Sequence, residues 1–183
     1  QWLKFGLMEL YRVLRALFLR SGSRELEVTR YVERHARAGD ARSVLDVMDA
    51  FALERRFLMN VGEEKGEVLV AALEAPGPVR CLELGAYCGY SAVLVGNEIG
   101  SRGGSLISIE ASARNAEMAR RVVAHAGLSS CVDIRVGTAA EQIPLLEGTF
   151  DVVFIDHWKD DYLPDLRRLE TLGLLSPGAR IVA

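Results

Sequence analysis

Several classes of protein are excluded by what this 183-residue sequence lacks. It has only three cysteines, an odd number without a C-x-x-C pair: Cys81, Cys88 and Cys131. This usage argues against a disulfide framework or a zinc site and indicates reduced thiols in a cytosol-like compartment. A formal net charge of −3 provides no basic field that would attract nucleic acid. Since half of the residues are apolar, the chain has the composition of roughly one domain with a sizeable core.

The most informative stretch is Val79–Ser91, which reads VRCLELGAYCGYS. An apolar run ends at Gly85 and Gly89, and a helix-compatible run follows from Tyr90. A short apolar run that ends in glycines and opens a helix is typical of the βα unit of a parallel sheet. Because glycine has no Cβ and adopts positive φ readily, a ligand can lie directly against this loop and face the amides at the helix start.

The acidic residue before this loop indicates the kind of ligand that the loop suits. Glu83 lies two residues before Gly85, so the order is E-x-G-x-x-x-G rather than the G-x-G-x-x-G of dinucleotide sites. A carboxylate there repels phosphate and suits a cationic or hydroxyl-bearing ligand. S-adenosylmethionine fits, since it has an ammonium group, a sulfonium group and no phosphate. The alternative is an ordinary strand-to-helix turn without a ligand.

Residues 2–20 (WLKFGLMELYRVLRALFLR) predict a basic amphipathic helix, separate from a domain at residues 23–183. Leucines recur along it at helical spacing, with most basic residues on the opposite arc: Leu3, Leu7, Leu10, Leu14 and Leu17 against Lys4, Arg12, Arg15 and Arg20. The charges interrupt it too often for a membrane span or a secretory signal. Such a helix can lie in a membrane interface, or it can dock on its own domain or on a partner.

Downstream of this segment, the sequence predicts helices and then alternating strands and helices. The first helices are expected at 25–38, at 41–57 with Asp40 as N-cap, and at 64–74. The strands are expected at 80–86, 105–110, 132–137, 150–156 and 180–183, and the helices between them at 90–99, 112–126, 139–146 and 161–172. This alternation predicts an α/β fold, a Rossmann-like, doubly wound parallel sheet preceded by helices.

Such sheets bind ligands beyond the carboxyl ends of their strands, and this edge holds the candidate functional residues. They are Gly85–Gly89, Glu110, Gly137–Ala140 and Asp156–Lys159. Glu110 ends the second strand about 20 residues beyond Gly89, where a carboxylate with two acceptor oxygens matches both hydroxyls of a ribose. A solvated glutamate at a strand end is the alternative. The turn at 59–62 can hang over the glycine loop as a lid.

An acid, an imidazole, an indole and an amine follow the fourth strand in direct succession: Asp156, His157, Trp158 and Lys159. Asp156 can hold a hard cation such as Mg²⁺. Lys159 can then take a proton from a substrate hydroxyl, because a nearby dication disfavours the ammonium form. Trp158 offers a flat face to an aromatic substrate or to adenine. His157 either contacts the cofactor or forms hydrogen bonds within the loop.

Four segments together resemble the animal catechol O-methyltransferases: LELGAYCGYSA (82–92), MNVG (59–62), IE (109–110) and DHWKDDYLPD (156–165). The resemblance runs from about Tyr31 to Ala183, and the DHWK run is its most specific part. It implies the class I S-adenosylmethionine-dependent methyltransferase fold. It also implies transfer of a methyl group from S-adenosylmethionine to one hydroxyl of a catechol, with Mg²⁺.

By position, the resemblance assigns roles to residues of this sequence. The residues that would hold the cofactor are Met59, Val61, Glu83, Gly85, Tyr87, Ser91, Glu110, His157 and Trp158. The residues that would face the substrate are Phe57, Met59, Trp158 and Lys159. Lys159 would be the general base and Asp156 a metal ligand. A metal that gathers both catechol oxygens would activate one hydroxyl and set its oxygen in line with the methyl group.

The sequence departs from this family in three places. Phe57 stands where the family usually has a tryptophan, and the adenine-contacting glutamine aligns with Ala140 or is displaced to Gln142. The remaining metal ligands of the family, an Asp-Asn pair, would follow Ala183, together with the last two strands of the sheet. Because the chain starts with Gln1 rather than Met and stops within the strand-like run ARIVA, we expect either a fragment or a chain from which residues were removed at both ends. The missing Asp-Asn pair indicates truncation at the C-terminus.

Three functions are open from the sequence. The first is a catechol O-methyltransferase that is active when the missing end is present. The second is a truncated, non-catalytic form that keeps the S-adenosylmethionine cleft and acts through residues 2–20 on a membrane or a partner. The third is an enzyme of the same fold that methylates another phenolic substrate. We expect a cytoplasmic protein, membrane-associated if the first helix lies in an interface; the sequence specifies neither the oligomeric state nor the preferred catechol.

Overall fold

The computed structural model describes residues 23–75 and 77–183. The expected helix of residues 2–20 lies outside the described residues. Within them, no helix is long and apolar enough to cross a membrane.

Among the described residues, three helices precede the sheet: α1 (Arg24–His35), α2 (Ala41–Glu54) and α3 (Gly62–Ala72). The predicted N-cap of α2 is confirmed, since a carboxylate oxygen of Asp40 accepts from the Ser43 amide at 2.9 Å. The helix α1 ends at His35 rather than at residue 38, because the backbone becomes extended at Ala36.

Five parallel strands form the sheet: β1 (Arg80–Leu84), β2 (Ser105–Glu110), β3 (Val132–Val136), β4 (Phe150–Ile155) and β5 (Leu175–Val182). Their order is β3-β2-β1-β4-β5, and every neighbouring pair is parallel. The helices that connect them are α4 (Tyr90–Gly100), α5 (Ala113–His125), α6 (Ala139–Gln142) and α7 (Tyr162–Thr171). The predicted doubly wound α/β sheet is therefore confirmed. The chain order reverses between β1 and β4, so a ligand crevice is expected at their carboxyl ends.

The core is divided between the two faces of the sheet. Alternate residues of β1 contribute to opposite faces: Cys81 packs with the cluster under the N-terminal helices, α4 and α5, and Leu82 packs with the cluster under α6 and α7. Burial raises the pKa of the Cys81 thiol, and likewise that of Cys88, to about 12. Both thiols are therefore protonated packing groups at neutral pH.

Two predicted elements need correction. The helix expected at 139–146 is interrupted, because α6 ends at Gln142 and a 3₁₀ turn, Ile143–Leu145, follows with Pro144 near its start. The last strand begins at Leu175 rather than at residue 180. In the sequence, Pro177 and Gly178 indicate a turn. The strand nevertheless includes them, because its register with β4 shifts there and the irregular pairing tolerates both residues.

Candidate functional site

Two adjoining cavities lie at the carboxyl edge of the sheet. The first, of about 460 Å³, lies between the turn at 59–61, the glycine loop and residues 156–160. The second, of about 470 Å³, lies between Glu110, residues 137–140 and residues 156–158. Both are lined by Gly85 and Tyr87, so the glycine loop separates them. The structure thus brings together the predicted residues from all four strand ends.

The two glycines of the loop are required by packing as well as by conformation. Gly85 has φ +107°, and a Cβ there would overlap the carbonyl oxygen of Asp156. Gly89 has φ +85° at the start of α4, where a Cβ would lie 3.1 Å from the Cα of Ala119. The loop therefore packs tightly against β4 on one side and α5 on the other.

Tyr87 is held in a left-handed conformation, with φ +46°, between two carboxylates. Its amide donates to Oε2 of Glu110 at 2.8 Å, and its hydroxyl donates to Oε1 of Glu25 at 3.1 Å. Among the described residues it is the one non-glycine with positive φ, a conformation that persists only where the surroundings enforce it. The loop is thereby tied to β2 and to α1.

Glu110 ends β2 with its side chain 9% exposed at the second cavity. Its other oxygen, Oε1, accepts from the Ser112 amide at 2.9 Å. Each carboxylate oxygen has two acceptor sites, so both oxygens keep capacity for a hydroxyl donor from a ligand.

Glu83 is fully buried within β1 and lines neither cavity. Burial, and to a smaller extent the charges of Asp156 and Glu110, raise the pKa of its carboxyl to about 7. Hydrogen bonds from the hydroxyls of Ser108 and Ser91 act in the opposite direction. Oε1 has no hydrogen bond of ordinary geometry from the described residues, which leaves an unsatisfied acceptor behind the loop.

Asp156 lies directly after β4, where its amide donates to the Leu84 carbonyl at 2.8 Å. Its side chain is exposed, but partial removal of water by the surrounding protein still raises the pKa of the carboxyl. The nearby charge of Lys65 and a hydrogen bond from the Tyr162 hydroxyl partly offset this effect.

His157 is anchored to α7 by a buried carboxylate. Its Nε2 atom lies 2.7 Å from Oδ2 of Asp165, a residue only 1% exposed, and the Arg168 guanidinium binds the other oxygen of that carboxylate. The imidazole also stacks on the Tyr162 ring, with centroids 5.4 Å apart and planes tilted by 13°. The loop after β4 is thus fixed to the first two turns of α7.

The walls of the first cavity carry exposed apolar side chains. Trp158 is 73% exposed, and its indole N–H donates to Asp160 at 3.3 Å. Met59 is also largely exposed on the opposite side, while Lys159 is exposed beside Asp156. Phe57 is exposed but does not line this cavity.

Of the two candidate positions for an adenine-contacting residue, the structure places one at the cavity. Ala140 lines the second cavity. Gln142 instead packs on Gly137, where a Cβ would approach its Nε2 to 2.7 Å, and it does not line the cavity.

Several residues of the site had no recognisable signal in the sequence. Glu25, Lys65, Tyr162, Asp165 and Arg168 contact the site or its loops through tertiary packing. The run DYLPD includes Tyr162 and Asp165, and their spacing of three residues on a helix could have indicated a common face.

Comparison with known proteins identifies the family. A family model described as O-methyltransferase matches residues 35–182. The chain belongs to this O-methyltransferase family. It is 39% identical to the catechol O-methyltransferase of Mus musculus and 41% identical to that of Bos taurus over 170 residues. These matches cover 90% of this chain but only 64% and 62% of the relatives, so the chain spans less than two thirds of their length.

A solved O-methyltransferase structure has the same architecture. The enzyme from Bacillus cereus, in complex with SAH, is 28% identical and superimposes with a TM-score of 0.63, covering 77% of this chain and 63% of that one. The predicted Rossmann-like methyltransferase fold and the predicted resemblance to catechol O-methyltransferases are therefore both confirmed.

Proposed function

We propose that this chain forms the cofactor-binding and acid–base part of an S-adenosylmethionine-dependent O-methyltransferase that methylates a catechol hydroxyl in the presence of Mg²⁺. The observation that supports this most is the convergence of the Gly85 loop, Glu110 and residues 156–159 on two adjoining cavities. The relatives named catechol O-methyltransferase supply the substrate class, and the Bacillus structure supplies the cofactor class. We further propose a cytoplasmic location, in keeping with the three free cysteines.

The residues present fit S-adenosylmethionine. Glu110 keeps acceptor capacity for the ribose hydroxyls, and the loop at Gly85 presents bare backbone to a nucleoside. In its ionised form, Glu83 behind Ser91 gives a negative potential that favours a cationic ligand. When bound, S-adenosylmethionine supplies an electrophilic methyl group on a sulfonium centre. Met59, Val61, Tyr87, Ser91, His157 and Trp158 line the first cavity around the same loop.

The substrate would lie between the apolar walls of the first cavity. Trp158 and Met59 offer apolar faces to an aromatic ring. Phe57, two residues before Met59 and exposed, lies outside the lining of this cavity. Lys159 stands beside Asp156, where its amine in the neutral form would take the proton from the attacking phenol oxygen.

The metal requires donors in addition to those that the structure describes. No group of three His, Cys, Asp or Glu side chains within residues 23–75 and 77–183 could hold a metal ion. Mg²⁺ prefers octahedral oxygen coordination, so Asp156 would have to share it with water, with the substrate or with other parts of the protein. Methylation of a simple catechol, assayed with and without Mg²⁺, tests both proposals, and activity without a metal requirement would favour another phenolic substrate.

Calorimetric titration with S-adenosylhomocysteine and its 2′-deoxy analogue tests the cofactor assignment. We expect the parent chain to bind the ribose form at least tenfold more tightly, because Glu110 accepts from the hydroxyls. The Glu110→Ala variant should bind both forms equally weakly, whereas Glu117→Ala, an exposed change on α5, should behave as the parent. Absence of binding to the folded parent, or an undiminished preference in Glu110→Ala, would overturn the assignment.

A further inference from the structure

A groove separate from the two cavities lies between α2, α3 and α4. It has a volume of about 670 Å³. Its floor is apolar, built from Leu45, Val70 and Leu94, and it includes Leu53, whose side chain is 87% exposed. Leu53 extends the partly buried apolar surface of Val70 and Leu94, so the groove offers apolar contacts to a segment that covers it.

The rim of this groove is strongly acidic. Six carboxyl side chains line it, against the single guanidinium of Arg42. Asp46 pairs with Arg42 at 3.2 Å, and Asp49 accepts from the Tyr90 hydroxyl at 3.0 Å. Within the part of the chain that the structure describes, the carboxylates of Glu54, Glu67 and Glu74 form no ion pair. The groove therefore presents an apolar floor within a rim that carries six carboxyl groups and one guanidinium.

We propose that the segment of residues 2–20 docks in the groove, with residues 3–17 as an amphipathic helix. Four basic residues and one acidic residue lie in the first 22 positions, and leucines recur on one face from Leu3 to Leu17. The leucine face matches the floor, and the basic residues match the rim. The complementarity is therefore both apolar and electrostatic.

The point at which the chain enters α1 brings this segment within reach. Glu27, in the first turn of α1, pairs with Arg56 at 2.8 Å, just beyond the last turn of α2. Leu53 and Glu54, in that last turn of α2, line the near end of the groove. Residues 18–22 can span about 17 Å when extended, which exceeds the roughly 10–12 Å diameter of the helix that they must pass.

The length of the segment also matches that of the groove. A helix from Leu3 to Leu17 would be about 22 Å long, and the part of α2 that lines the groove, from Arg42 to Glu54, is about 18 Å long. α3 and α4 lie side by side along it, since a Cβ at Gly66 would contact Leu94 at 3.1 Å. With Arg20 at the near end beside Glu54, Lys4 falls at the far end, beside Glu74 and Glu98.

Covalent linkage favours this groove over a lipid surface as the resting position. A tethered segment meets its site at an effective concentration in the millimolar range when the linker spans the distance. The acidic rim would also repel an anionic membrane from the same face of the protein. The groove is therefore the site that the helix meets first.

Hydrogen exchange of the whole chain, without vesicles, tests the proposal. An isolated helix of this length is marginal in water, so slow exchange of the amides of residues 5–17 requires docking. We expect them to exchange at least tenfold more slowly than unstructured amides. The triple variant Glu54→Lys, Glu67→Lys, Glu74→Lys should abolish that protection, whereas the matched variant Glu117→Lys, Glu147→Lys, Glu170→Lys, with exposed carboxylates outside the groove, should retain it. Unchanged exchange in β1 of each variant shows that the domain is folded.

Zero-length carbodiimide cross-linking gives the direction of docking. The chain has three lysines, Lys4, Lys65 and Lys159, so the products are few. We expect Lys4 to link to Glu74 or Glu98. Free exchange of residues 5–17 in the parent, or full protection in the groove variant, overturns the proposal. Protection that appears only with phosphatidylserine vesicles assigns the helix to a membrane interface, and protection that depends on protein concentration assigns it to a second copy; both outcomes also overturn it.

Discussion

Lys159 is the residue whose chemical role can be isolated most directly, because its side chain is exposed and its removal leaves the packing intact. We expect Lys159→Ala to lower kcat for catechol methylation by about 10²-fold or more, since a positioned base contributes on that order. Calorimetry should show an unchanged Kd for S-adenosylhomocysteine. Lys159→Arg keeps the positive charge but cannot give up its proton at neutral pH, so it should lose turnover to a similar degree. Full activity in either variant would remove Lys159 from the mechanism.

Glu83 makes the stability of the fold depend on pH. Its pKa is about 7 in the folded chain, against an ordinary value of 4.5. Between these values the folded chain binds the proton of Glu83 and the unfolded chain does not. The stabilisation from this group is therefore fully present below about pH 4.5 and is lost as the pH rises towards 7. The loss for this group is on the order of 3 kcal/mol.

The variant Glu83→Gln should remove this component, because a neutral amide replaces the ionisable group. We expect the free energy of unfolding by urea to decrease less from pH 5 to pH 7.5 in the variant than in the parent. Above pH 7.5, the free energy of unfolding should change with pH to nearly the same extent in both proteins. If the free energy of unfolding changed with pH identically in the two proteins, the pKa of Glu83 in the folded chain would lie near its ordinary value.

At the scale of elements, the contact between α7 and the loop after β4 depends on one buried carboxylate. Asp165→Asn removes the charge that His157 and Arg168 share. We expect a loss of about 3 kcal/mol in the free energy of unfolding, measured with urea, because breaking a buried pair leaves its partners uncompensated. Asp133→Asn breaks the exposed pair with Arg135 and should cost less than about 1 kcal/mol. Equal effects of the two changes would show that the buried pair adds nothing beyond surface electrostatics.

The interior strands could be predicted from the sequence because their apolar runs end in glycines or acids. Four of the five strands begin at the predicted residue, and each functional residue at their carboxyl ends follows from that placement. The start of β5 could not be predicted, since Pro177 and Gly178 indicate a turn unless the register shift with β4 is known.

The supporting contacts of the site could not be predicted, because they join distant parts of the chain. Glu25 binds Tyr87 across 62 positions, and nothing in a polar helix marks that glutamate among its neighbours. Likewise, the full burial of Glu83 away from the cavities depends on the packing around β1 rather than on its spacing from Gly85. The position of residues at strand ends thus predicted which residues form the site. Tertiary packing determined the contacts that support them.

At the scale of the whole molecule, β5 is an edge strand of the described sheet, and most of its residues are partly or fully exposed. Unpaired backbone groups and the exposed Ile181 side chain invite pairing with another chain. We expect the 183-residue chain to self-associate at micromolar concentrations in sedimentation velocity experiments. Ile181→Lys should shift the distribution towards monomer, whereas Val68→Lys, at an exposed position on α3, should not. A parent chain that sediments as a monomer at all concentrations would contradict this expectation.

The backbone at Gly85 lies so close to that of Asp156 that no methyl group fits between them, which limits how the shape of the cleft can change. The tips of the first and fourth strands touch through main-chain atoms alone, so neither can shift without carrying the other along. The floor beneath any bound molecule is consequently invariant in shape. Accommodation of larger or smaller rings must come from the roof, where Met59 and Trp158 are free to change rotamer.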